Sequence, residues 1–384
     1  MKKIFPRNRI GKIFPILTAI GIVILFTGCG VNANRTPAQN GFELSSTPDL
    51  AAPTRSSPTR TSIPNLPSPT LTLTIPPITL DPNHWKLFNS PNEILQSDVH
   101  HIGQTDDGTL WFGGIKIYRY DGKKWLVYDQ EKIPTFRGRV IMSLAVAPGG
   151  TVLFGTEMNE IVSFDGISWI SQTVGDGGYR KNSIDSILIR KNGELCAISI
   201  EGMSCQSAGI WTRHSIVVQD KVNRVYVWDA ILTPTDEIWV PLSTGVLYHY
   251  DGKNWENSKI SDWICCISAS QDGSLWIYDH EGLGKRDVHG KIEYKWMPAI
   301  LREDNPTVMR EANDGTLWFG TLGGYQLVQD INGVFITADG KTLSDIEKHG
   351  FYSYNFPFYL VHCIFQAKDG SMWLGTVGGI FQYK

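Results

Sequence analysis

From about residue 81 onward, short runs of alternating apolar and polar residues are broken by Asp-Gly and other glycine turns. This pattern predicts antiparallel strands. One phrase, DGTLWFG at 107–113, returns at 149–155 (GGTVLFG), 192–198 (NGELCAI), 235–241 (TDEIWVP), 272–278 (DGSLWIY), 314–320 (DGTLWFG) and 369–375 (DGSMWLG). Start-to-start spacings are 42, 43, 43, 37, 42 and 55. A second phrase, a small turn followed by tryptophan, recurs out of phase and ends at Trp125, Trp169, Trp211, Trp255 and Trp296, with a weaker copy at 333–335. Nine positions before each turn stand Val99, Ile141, Ile184, Val227, Ile264, Pro306 and Val361. Six before stand Ile102, Leu144, Ile187, Ala230, Ile267, Met309 and Ile364. No amphipathic helical pattern competes for these residues.

Each unit therefore reads as a four-stranded antiparallel meander. One such sheet cannot bury both faces, but a ring of them can, and radial repetition of four-stranded sheets is a β-propeller. The last copy stops after its third strand at Lys384, and the missing Trp strand lies at 84–88 (HWKLF). The expectation is an all-β, seven-bladed propeller over 81–384, its ring closed by an N-terminal strand that completes the last blade. Closure would also remove an exposed sheet edge.

The first eighty residues differ. Residues 2–12 are basic and 13–26 (IFPILTAIGIVILF) apolar, leading to Thr27-Gly28-Cys29. Fourteen residues rise only about 21 Å as a helix, short of a roughly 30 Å hydrocarbon core, so 1–28 reads as a signal peptide. Residues 29–80 are rich in Pro, Thr and Ser and read as a solvated linker. The Thr-Gly-Cys ending resembles the lipobox of bacterial lipoproteins, which implies acylation of Cys29. Gly30 stands where lipoproteins of two-membrane bacteria carry Asp to stay on the inner membrane. The expectation is an extracytoplasmic chain lipid-anchored to the cell membrane, the outer one if it exists.

The repeat unit, Val-x-x-Ile, Asp-Gly-x-Leu-Trp-x-Gly-Thr, Gly-Gly, an aromatic strand and Gly-x-x-Trp, resembles the two-component regulator propeller repeat. The best copies are 308–326 (VMREANDGTLWFGTLGGYQ) and 361–381 (VHCIFQAKDGSMWLGTVGGIF). The resemblance covers about 84–384 and implies the extracytoplasmic, ligand-sensing part of a bacterial sensor, a type often found beside polysaccharide-use systems. No transmembrane, kinase or DNA-binding pattern follows the repeats, so recognition, not direct signalling, is what carries over.

Eleven of the 13 tryptophans occupy repeat positions and read as packing between blades. Trp228 and Trp263 do not. Both sit where the chain enters an inner strand, on the face that also carries the aromatic insertion FYSYNFPFY at 351–359. Trp228, Trp263, Tyr352, Tyr354, Phe356 and Tyr359 are therefore candidate contacts for sugar rings or a peptide. Eight residues before each turn a ring of His100, Met142, Asp185, Trp228, Cys265, Thr307 and His362 should lie near the channel mouth. His100, Asp185 and His362 join the candidate site. His100 and His362 come from neighbouring blades after closure, but spacing supplies no third ligand, so neither a metal nor another cofactor is expected.

The Asp-Gly phrases superficially resemble sialidase Asp boxes, which separate Asp from Gly by one residue; here the two are adjacent and a tight turn explains them. Gly-x-Ser-x-Gly, Cys-x-x-Cys, HExxH and phosphate-loop motifs are missing from the sequence, so no catalytic residue is assigned and an enzyme is the less favoured reading. Cys196 and Cys205 lie symmetrically about a hairpin turn at 200–201, which predicts a cross-strand disulfide in an oxidising compartment. Cys265, Cys266 and Cys363 read as small buried residues.

Composition narrows the function. The formal charge is −3, and removing Lys2, Lys3, Arg7, Arg9 and Lys12 with the signal takes it to −8. A chain this acidic gains nothing from counterion release, which excludes nucleic acid as the main partner. The favoured function is a membrane-tethered recognition protein for carbohydrate or cell-wall polymer. The alternatives are a protein-interaction scaffold for a sensor or transporter, and a propeller lyase or hydrolase.

Overall fold

A computed structural model describes residues 83–88, 98–129, 133, 136, 140–175, 183–215, 227, 229–295, 306–321, 333–337, 351–355 and 360–384. All of them belong to the compact unit Leu71–Lys384. The signal and the whole linker, including Cys29, lie outside the described residues.

These residues form four-stranded antiparallel sheets, seven in number. Six are continuous meanders: 99–128 (blade 1), 141–173 (blade 2), 186–215 (blade 3), 231–259 (blade 4), 264–295 (blade 5) and 306–355 (blade 6). The remaining sheet is composite. Val361–Gln366, Met372–Thr376 and Gly379–Tyr383 are followed by Trp85–Phe88, which pairs antiparallel with Gly379–Tyr383 through Trp85↔Tyr383 and Phe88↔Ile380. The Lys384 amide donates to the His84 carbonyl at 2.9 Å and fastens the two ends.

Second strands such as Leu110–Gly114, Val152–Thr156 and Leu317–Thr321 are buried along their whole length. Both of their faces meet a neighbouring blade, so the polar half of an ordinary strand alternation is lost there. The outer strand Trp255–Lys259 is exposed over its last four residues. Seven apolar clusters each join two successive blades. One links blade 1 to blade 2 through Trp111 and Phe154, and another links the composite blade to blade 1 through Trp373 and Phe112. The repeat tryptophans supply these joints: Trp111 meets Phe154 edge-on at 6.1 Å, and Trp85 meets Trp318 edge-on at 6.3 Å.

The phrase-final glycines have a steric cause. A Cβ on Gly113 would stand 2.7 Å from Ile141, on Gly320 2.6 Å from Val361, and on Gly375 2.5 Å from the Val99 carbonyl oxygen. In each case the obstacle is the inner strand of the next blade. The Asp-Gly turns are structural as well. Asp107 accepts the Thr109 amide at 3.0 Å and Asp369 the Ser371 amide at 3.0 Å, while Gly108 and Gly370 sit at φ of 86°. In blade 4 Asp236 takes the glycine position at φ of 70°.

The expectation of like repeats is corrected in blade 6. The weak phrase copy at 333–335 is not the outer strand: Gly333–Thr337 is the third strand, and Phe351–Asn355 pairs outside it. Phe351–Asn355 therefore belongs to the blade as its outer strand and is not part of an insertion at the channel mouth. The alternation Phe-Tyr-Ser-Tyr-Asn has the period and the aromatic content of a strand, which decided its place. Blade 4 also departs from the pattern, its inner strand shrinking to Ile231–Leu232 with an isolated bridge between Val227 and Leu242.

Candidate functional site

The inner strands carry one irregularity at the same repeat position. Register shifts fall between Val99/His101, Ile141/Ser143, Ile264/Cys266, Pro306/Val308 and Val361/Cys363. The skipped residues are His100, Met142, Cys265, Thr307 and His362. A bulge re-aims the side chain at that position, so these residues escape the strict in-out alternation of their strands.

Two of them meet across the joint that closes the ring. The imidazoles of His100 and His362 stack with centroids 4.0 Å apart and planes inclined by 29°. Asp98 stands two residues before His100, and one ligating atom from each of Asp98, His100 and His362 lies within 4.8 Å of the others. All three side chains are half-buried. The His362 Nε2 is buried without a hydrogen-bond partner. Loss of hydration lowers the pKa of His100, against a smaller opposing effect of Asp98. Burial, reinforced by neighbouring histidines, takes His101 and His362 down to about 3. At neutral pH this cluster is a set of uncharged imidazoles beside Asp98.

On the blade 3 to blade 4 side, Asp185 accepts a short hydrogen bond from the Ser183 hydroxyl. Burial pushes its carboxyl up to about 7; the Ser183 hydrogen bond opposes that shift and the nearby Asp229 charge adds to it. Asp229 is open to water by surface area, yet the protein crowded around it displaces bulk solvent and also raises its pKa. Burial raises the pKa of the Cys363 thiol on the composite blade, and the Asp229 charge adds to that rise.

The other expected contacts do not converge here. Trp263 is half-buried, packs against the cluster joining blades 5 and 6, and meets Tyr278 edge-on at 6.4 Å. Its backbone is bracketed by the Ser261 hydroxyl, which donates to the Trp263 carbonyl at 2.6 Å. Tyr352 and Tyr354 stand on the outer strand of blade 6, opposite Ile336 and Val334, at the rim of the sheet. Trp228, Phe356 and Tyr359 lie outside the described residues. Cys196 and Cys205 are directly opposite in the register and form a buried disulfide. Cys265, Cys266 and Cys363 are free and buried.

Sequence reading missed Asp98, His101 and Asp229. Asp98 lies two residues before His100, but the bulge at His100 breaks the alternation that would have related the two. Asp229 carries no local signal, since its nearness to Asp185 joins two blades.

A family model described as two-component regulator propeller matches residues 355–378, a single repeat at the start of the composite blade. No curated protein matches the chain in sequence. Among solved structures, a streptogramin B lyase is similar at 16% identity and a TM-score of 0.62, over 78% of this chain and 97% of that one. The extracellular domain of a putative hybrid two-component system from B. thetaiotaomicron is similar at 15% identity and 0.58, over 78% of this chain and 39% of that longer one. YCF48 bound to a D1 peptide is similar at 14% identity and 0.59, over 79% and 98%. These likenesses show the propeller fold.

Proposed function

We propose that the chain is an extracytoplasmic recognition module, tethered to the membrane through Cys29, whose ring of inner-strand residues binds a neutral, hydroxyl-rich ligand: a carbohydrate or cell-wall polymer. The observation that carries this reading is the stacked pair of uncharged imidazoles, His100 and His362, at the closing joint, while Asp185, at the same repeat position on blade 3, holds its proton up to about pH 7. Such a set donates and accepts hydrogen bonds without a net charge to neutralise, as sugar hydroxyls require. By their sequence positions, Trp263 and Trp228 are proposed to add apolar faces where the chain enters the inner strands. The extracellular domain that shares the fold, and the matched repeat at 355–378, support the location.

The test is a thermal-shift screen of the full chain in detergent against glycans and peptidoglycan fragments. Wild type runs beside Asp185→Asn, His362→Ala and Trp228→Ala/Trp263→Ala. A ligand present at 100 times its dissociation constant adds about 2.7 kcal/mol of stability. A shift in wild type that the variants lose is the expected result, and silence across the panel refutes the reading.

A protein scaffold is the second reading, favoured by exposed Leu126 and Ile170 on the outer strands of blades 1 and 2 and by Ile167, which is 89% exposed. It predicts partner capture that is lost in Ile167→Asp/Ile170→Asp and untouched by the channel variants. A lyase or hydrolase acting through His100, Asp185 or His362 would instead show turnover that His362→Ala abolishes.

A further inference from the structure

Asp98 and His100 leave blade 1 at i and i+2, and His362 arrives from the composite blade. The three converge only because the ring has closed, for His362 lies more than 250 positions along the chain from the other two. Around one tetrahedral ion with nitrogen bonds of about 2.0–2.1 Å, neighbouring ligand atoms stand roughly 3.3 Å apart. The three atoms lie within 4.8 Å of one another, and the two stacked rings have to splay by roughly 1.5 Å at most to reach that separation. The His362 Nε2, buried without a hydrogen-bond partner, is the kind of orphan ring nitrogen that an ion would satisfy.

We infer that Asp98, His100 and His362 form a binding site for a divalent transition-metal ion at the joint between the first and last blades. Two imidazole nitrogens and one carboxylate favour Zn2+ and its neighbours over Mg2+ or Ca2+, which prefer all-oxygen shells. Three protein ligands leave at least one coordination position open, the pattern of zinc sites that bind water or a substrate oxygen. An ion held there would cross-link the inner strands of the first and the composite blade, at the opposite edge of the composite sheet from Trp85–Phe88. This inference does not depend on the glycan reading, since the metal is measured with no glycan present, and either can fail alone.

The experiment takes the full chain stripped with EDTA and follows Zn2+ by equilibrium dialysis and Co2+ by its visible ligand-field absorption. Expected are one Zn2+ per chain, a Co2+ spectrum typical of low coordination number, and a higher unfolding midpoint with Zn2+ but not with Mg2+ or Ca2+. His100→Ala and His362→Ala should weaken Zn2+ by at least the ~10–100-fold that losing even an outer-shell partner costs. Asp98→Asn, which preserves shape, should weaken it less and shift the Co2+ bands. His289→Ala, remote from the joint, should bind as wild type does. Unfolding midpoints in EDTA separate lost ligation from lost fold; if a histidine variant does not fold, Asp98→Asn with Co2+ decides. Absence of stoichiometric Zn2+, or binding that Asp98→Asn and His362→Ala leave unchanged, overturns the inference.

Discussion

Gly375→Ala probes the joint on which the whole ring depends. Its backbone is not in the left-handed region, so the methyl group acts only through space. The new Cβ would stand 2.5 Å from the Val99 carbonyl oxygen, 2.6 Å from the Cys363 Sγ and 2.7 Å from the Val99 Cγ1. An ordinary contact begins near 3.4 Å, so the inner strand of blade 1 has to retreat by most of an ångström. That strand is held by its own ladder and by the next blade, which puts the cost at the top of the overpacking range, about 3 kcal/mol.

Two other glycines calibrate the estimate. At Gly103 the methyl meets the Leu144 Cδ2 at 2.4 Å, the movable end of a side chain. The Gly→Ala gain of roughly 0.5–1 kcal/mol in a strand then leaves that variant near neutral. At Gly370 nothing lies within 4 Å, but φ is 86°, so Gly370→Ala costs only left-handed strain of about 1–2 kcal/mol. Urea unfolding followed by tryptophan fluorescence, with linear extrapolation, ranks the three. The expected order of loss is Gly375→Ala, then Gly370→Ala, then Gly103→Ala. Adding Cys363→Ala to Gly375→Ala should restore little, because the carbonyl clash remains. If Gly375→Ala were as stable as Gly103→Ala, the close approach of the last blade to the first would be refuted.

The Cys196–Cys205 bridge closes a short loop, and the chain-entropy relation assigns it about 2–3 kcal/mol. Cys196→Ala/Cys205→Ala should lower the urea midpoint accordingly. Reductant should destabilise wild type and leave the double variant unmoved; an equal response in both would sink the assignment. Asp185 binds its proton more tightly folded than unfolded, so between about pH 4 and 7 stability falls as pH rises, by at most about 1.4 kcal/mol per pH unit. Asp185→Asn should match wild type near pH 4, exceed it at pH 8 and flatten the curve of unfolding midpoint against pH. Parallel curves for the two proteins would contradict a raised Asp185.

How much of the site was legible varies with the distance over which its parts are joined. His100 and His362 share a repeat position eight residues before their turns, so their common level in the ring could be read from spacing. Their stacking at 4.0 Å required closure of the ring. The tyrosines of 351–355 looked like a loop because the repeat spacing had stretched to 55, although their own alternation already described a strand.

Sequence alone determined the four-stranded units, their Asp-Gly turns, the buried tryptophan positions and the pairing of Cys196 with Cys205. All of these depend on backbone periodicity, turn chemistry and register within one hairpin, interactions that span a few residues. Tertiary structure decided which strand is outermost in blade 6, which bulged residues face a common space, and which carboxylates stand beside which imidazoles. Those contacts join blades, and only packing of inner strand against inner strand, at distances too close for a Cβ on Gly320 or Gly375, sets where one blade stands relative to the next.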